Sequence, residues 1–131
     1  MAIAAINACV LSIESRISDI ELDMMLIDQT RQYLNLQMTD LQTQYSTQYA
    51  QKQLNLAEDD LTNDQQKALD FDWESFKMEY AAATGRIQAH DKTLEMERTN
   101  LQTQKEELST ALESQEKRLQ KNIEADMKGF N

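Results

Sequence analysis

From Ile3 onward the apolar residues recur at alternating steps of three and four positions: Ile3, Ile6, Val10, Ile13, Ile17, Ile20, Met24 and Ile27, then Arg31, Leu34, Met38, Leu41 and Tyr45. Such steps hold one stripe of a helix in a single direction, because an α-helix turns once every 3.6 residues. The run spans six heptads with one polar position, Arg31, and predicts one long amphipathic helix over about residues 3 to 56. Leu22, Met25, Leu26 and Leu36 fall outside the stripe, so a second side of this helix is apolar as well. A single partner helix does not cover both sides, which leads us to expect more than two helices to meet here.

After Leu54 the pattern fails. Asn55 to Asp64 holds four acids and two asparagines, residues that favour caps and turns over helix interior. Thr62 and Gln65 have the spacing of a capping box, and Asp64 then sits in the first turn of a new helix, where its charge suits the positive end of the dipole. The acidic turn is placed at about 58 to 63 and the second helix at about 64 to 128.

The second helix restarts a stripe at Leu69, Trp73, Phe76, Tyr80, Ala83, Ile87, His90 and Leu94. Leu101 and Leu108 continue it, with Glu97 and Gln104 as polar intervening positions, before it shifts to Leu112, Leu119, Ile123, Met127 and Phe130. Irregular heptads of this kind predict a change in supercoil or a local loosening over 95 to 110. If the helices fold back near residue 60, residue i faces roughly residue 120 − i. Tyr45 and Tyr49 then meet Phe71, Trp73 and Phe76 in an aromatic lock near the turn. The N-terminal isoleucines face Leu101 to Leu119. The chain is therefore expected to be all-α, a single helical-hairpin domain over 1 to 131.

Composition supports this reading. There is no proline and there are two glycines, Gly85 and Gly129, so little interrupts a helix and little supplies hairpin turns for strands. The N-terminal stretch lacks a basic flank, and Glu14, Arg16 and Asp19 close it too early for a span of about 20 residues. A soluble protein is expected, cytoplasmic or exported without a cleaved apolar leader.

Charge narrows the partners. With 13 basic and 23 acidic residues the formal net charge is −10. Residues 1 to 64 hold 3 basic and 10 acidic groups, and residues 65 to 131 hold 10 and 13. Such a surface repels phosphate backbones and anionic headgroups, so neither nucleic acid nor a membrane is an expected partner.

Candidate chemistry is sparse. His90 and Cys9 are single and far apart, which leaves no zinc-ligand or nucleophile constellation. Cys9 reads as a small buried hydrophobe, with an intermolecular disulfide as the alternative. Asp70, Asp72 and Glu74 lack the glycine and terminal glutamate of a calcium loop, and positions i and i+2 of a helix point to different sides. Asp59, Asp60 and Asp64 likewise lack a glycine. We expect no enzyme activity, no metal, no cofactor and no small-molecule substrate. The Gln- and Thr-rich run over 29 to 53 reads as an uncharged solvent face or as a face buried between subunits, where amides bond laterally.

In general organisation, through its periodicity, the chain resembles the hairpin subunits of secretion needles and filaments, and the coiled-coil stalk and adaptor proteins of export machines. Function is expected to lie in helix-to-helix association with its own copies, more than two chains being favoured because isoleucine fills most early stripe positions. The expected oligomer or packing interface is Ile3, Ile6, Val10, Ile13, Ile17, Ile20, Met24 and Ile27 with Leu108, Leu112, Leu119, Ile123, Met127 and Phe130. The alternative is an adaptor or chaperone that holds another protein's helix.

Overall fold

A computed structural model describes residues 2–58 and 60–129. They form two helices, α1 (Ala2–Leu56, 55 residues) and α2 (Asn63–Lys128, 66 residues), and no strand occurs among the described residues. The first helix ends where the propensity fails. Ala57 N donates to both Gln53 O and Leu54 O, and Glu58 N to Asn55 O, so the last turn tightens before the chain leaves the helix. The second helix begins on the expected capping box. Thr62 N donates to Gln65 Oε1 at 3.0 Å, and Gln65 N to Thr62 Oγ1 at 3.2 Å, so two otherwise orphaned amides satisfy each other's residues. Asp64 in the first turn and Lys128 in the last complement the helix dipole. Among the described residues none has a positive φ, so the turn is built without left-handed backbone.

The chain divides into two compact units, each using a length of both helices: Met1–Gln29 with Glu95–Asn131, and Thr30–Leu94. In the first unit Ile6, Val10, Ile13, Ile20, Met24 and Ile27 are buried, at 6–9 % exposure, while Ile3 and Ile17 are half-buried. Leu101, Leu108, Leu112 and Leu119 of α2 are only half-buried. The core is thus one-sided. On α1 every stripe position carries an apolar residue, whereas the half-buried positions of α2 mix leucine with polar residues: Arg98, Leu101, Gln102, Lys105, Leu108, Leu112, Gln115, Leu119 and Asn122.

This corrects the expected stripe of α2. Glu97 and Gln104 are exposed, and Arg98 and Lys105 take their places. Both have aliphatic stems long enough to lie along an apolar surface while the charged head reaches an acid on α1. The stretch over 95 to 110 is therefore held by leucines together with ion pairs: Arg98 Nε to Asp28 Oδ1 at 2.7 Å, and Lys105 Nζ to Glu21 Oε1 at 3.4 Å. Ile123 and Met127 are exposed, and Phe130 lies outside the described residues.

In the second unit the chain reverses, with Leu34, Trp73 and Leu94 buried between its helical segments. Leu41, Tyr45, Leu69, Phe76, Tyr80, Ala83 and Ile87 are half-buried beside them. The stripe of α2 runs Ala83, Ile87, Asp91, Leu94, with two successive steps of four. His90, expected on the stripe, is exposed, and Asp91 is the half-buried residue. A straight helix drifts by about 20° per heptad, so a stripe extended on strict heptad spacing slides off the interface unless a step of four restores it. The pairing along the helices is also offset from a fold-back at residue 60. Arg31 meets Asp91 rather than residue 89, and in the first unit Asp28 meets Arg98 rather than residue 92.

Candidate association surfaces

In the second unit Tyr45 is the centre of an aromatic cluster. Its ring centroid lies 5.4 Å from Trp73, 6.2 Å from Phe76 and 4.6 Å from Tyr80, and Tyr49 lies 5.7 Å from Trp73. Lys52 Nζ stands 5.1 Å from the centre of the Trp73 ring and closes one of its faces. Four of the five residues expected in the lock are there: Tyr45, Tyr49, Trp73 and Phe76. Phe71 is not. It is 72 % exposed, because two residues before Trp73 a helix has turned through about 200°. Tyr80, four residues beyond Phe76, completes the cluster instead, and the spacing i, i+4 was the signal for it.

The same unit contains a bidentate ion pair. Arg31 Nε donates to Asp91 Oδ1 at 2.8 Å and Arg31 Nη2 to Oδ2 at 3.3 Å. Arg31, the one polar position in the α1 stripe, is thus matched by the polar position that α2 brings opposite. The hydrogen bond from Arg31 holds the Asp91 carboxyl below its ordinary value; partial burial opposes this, and the charges of Arg31 and His90 add to the lowering. On the outer surface Lys77 lies 2.9 Å from Glu74, and that hydrogen bond raises the lysine above its usual value.

Other residues singled out in the sequence lie on the solvent side. Asp70, Asp72 and Glu74 are exposed, and among the described residues no group of three His, Cys, Asp or Glu side chains is placed to hold a metal ion. Among the described residues no helix is long and apolar enough to cross a membrane. Cys9 is exposed rather than buried, since it falls beside the stripe between Ile6 and Val10 and not on it. Three threonines of the Gln- and Thr-rich run bond within their own helix: Thr39, Thr43 and Thr47 each donate to the carbonyl four residues earlier. Gln44 and Gln51 bond to Asp40 and Asn55 on their own helix. An open groove of about 380 Å³ runs beside the cluster, lined by Leu41, Phe76, Tyr80, Ala83, Glu79 and Arg86.

Of the expected interface residues, Ile6, Val10, Ile13, Ile20, Met24 and Ile27 are buried and Ile3, Ile17, Leu108, Leu112 and Leu119 half-buried within one chain, whereas Ile123 and Met127 stay exposed. Other apolar residues outside the expected set are exposed as well. In the first unit Leu11, Leu22 and Met25 are 59 %, 51 % and 49 % exposed. They belong to a second run of three-and-four steps, Ala4, Ala8, Leu11, Ser15, Ser18, Leu22, Met25 and Gln29, every member of which is exposed. At 100° per residue this run faces away from the buried stripe, and it carries no charge. The outward side of α2 in that unit differs. Glu106, Glu107, Glu113, Lys117, Lys121, Glu124 and Lys128 give it the mixed charge of a solvated helix. In the second unit Phe71 and Met78 stand exposed on α2, and Tyr33 and Leu36 on α1.

A large apolar residue standing alone on a surface is ordinary; Leu11, Leu22 and Met25 share a row that stays uncharged over seven helical turns. No protein-family model, curated protein or solved structure matches the chain, so its function is read from these surfaces.

Proposed function

We propose that the protein is a non-enzymatic structural or assembly protein that works by packing its helices against further copies of itself. The observation that carries this reading is the exposed row on α1 that includes Leu11, Leu22 and Met25, set opposite a stripe already filled by α2. Left in water, such a row is an association or aggregation surface; covered by another helix, it contributes about 25 cal/mol for each Å² removed from water. The reading needs no catalytic group, cofactor or small-molecule substrate, and the acidic surface disfavours nucleic acid.

A second reading is an adaptor that seats a partner's helix. It is favoured by the groove beside Tyr80 and Phe76, whose apolar floor and flanking Glu79 and Arg86 suit an amphipathic segment. Absolute mass by light scattering after size exclusion, over a range of concentrations, separates the two. Mass that rises in multiples of one chain supports assembly. A single-chain mass at every concentration overturns it and leaves the adaptor.

A further inference from the structure

Resting on that reading, we propose that the α1 row from Ala4 to Gln29 is a two-fold, antiparallel contact with the same row of a second copy, centred between Ser15 and Ser18. The pattern is its own complement under that operation. Leu11 meets Leu22 of the second copy, Ala8 meets Met25, Ser15 meets Ser18 and Ala4 meets Gln29. Each large side chain faces an equal or a small one, and the serines at the centre let the backbones approach toward the near end of the usual 8–10 Å range between helix axes. A closed two-fold contact of this kind is isologous, with the same patch serving both chains.

Charge permits the second copy in this orientation. The acids on the nearest flank of the row are Glu14, Glu21 and Asp28. Glu21 and Asp28 already have Lys105 at 3.4 Å and Arg98 at 2.7 Å from α2 of their own chain. Where Glu14 comes beside Glu21 of the second copy, Lys105 stands between two acids, and the meeting is not one of bare like charges. On the other flank Asp19 comes opposite Ser12 of the second copy.

Area sets the strength. The row is roughly 38 Å long at 1.5 Å per residue, and one helix laid along it buries on the order of 1,000 Å² in total, the lower edge of stable interfaces. The expected dimer is reversible, with a Kd in the micromolar range.

The test uses the full chain with Cys9→Ser, to remove the exposed native thiol. Leu11→Cys and Leu22→Cys chains are oxidised mildly, singly and mixed. The two-fold antiparallel contact gives cross-linked dimer in the mixture at least tenfold above either chain alone. Cross-linking of each chain with itself, or none anywhere, overturns it. Alongside, Leu22→Asp is weighed by sedimentation equilibrium. Loss of the dimer with unchanged helical circular dichroism supports the contact. Persistent association of Leu22→Asp overturns this contact while leaving the assembly reading intact, and a monomeric parent chain throughout overturns both. The cross-link does not depend on Leu22→Asp folding, so it decides the question if that variant loses helix.

Discussion

Arg98 holds Asp28 at 2.7 Å from seventy residues away in the chain, and in doing so converts what reads as a gap in the second helix into a point of registration. The pair sits at the edge of the isoleucine core with both side chains two-fifths or so exposed. A shift of α2 by one position would set Glu97 or Thr99 there, and neither forms an ion pair with an aspartate. Its value lies in choosing the register more than in binding energy.

A double-mutant cycle on Asp28→Asn and Arg98→Gln should therefore return a coupling of about 0.5 kcal/mol, as exposed pairs do. Because the charges are solvated, the coupling should shrink in 1 M salt, where the screening length falls to about 3 Å. A coupling above about 2 kcal/mol would mean that the pair is desolvated, for instance by a neighbouring chain.

The aromatic cluster separates two neighbouring aromatic residues, Trp73 and Phe71. Trp73→Ala removes the ring packed by Tyr45, Tyr49 and Phe76 and should cost about 3 kcal/mol or more in urea unfolding followed by circular dichroism. Phe71→Ala, two residues away and exposed, should stay within about 0.5 kcal/mol in a dilute, monomeric sample. Similar losses for both would place Phe71 in the core.

Gly85 lies inside α2, and a Cβ added there meets no atom within 4 Å. Alanine loses less backbone entropy on folding than glycine, so Gly85→Ala should stabilise the helix by about 1 kcal/mol and raise Tm by a few degrees. A drop in Tm at concentrations where the chain associates would show that another helix closes over this position.

Asp91 supplies a pH dependence with a defined sign. Its folded carboxyl is held down by Arg31, so the unfolded chain binds the proton more readily. The stabilisation is present above the ordinary aspartate value of about 3.9 and is lost as pH falls through the depressed folded value. Thermal melts across the acid range should therefore show a steeper decline for the parent chain than for Asp91→Asn. Parallel declines would remove Asp91 from the acid response.

The sequence by itself determined the two helices, the break between them and the buried side of α1. Isoleucine at three-and-four spacing has one way to leave water, and the Thr62 and Gln65 cap is a contact over three residues that needs no distant partner. It also showed that α1 has a second apolar side, through Leu22, Met25 and Leu36. Only tertiary structure decided which side of α2 turns inward beyond Ile87. There the stripe mixes leucine with Arg98, Lys105 and Gln115, and hydrophobic spacing does not say whether a long basic side chain lies along a core or in solvent. That depends on whether an acid stands opposite, as Asp28 and Glu21 do. The exposure of Cys9 and Phe71 and the entry of Tyr80 into the cluster, by contrast, follow from the stripes themselves: Cys9 and Phe71 stand one and two residues off them, a turn of 100° or 200°, and Tyr80 stands four residues beyond Phe76.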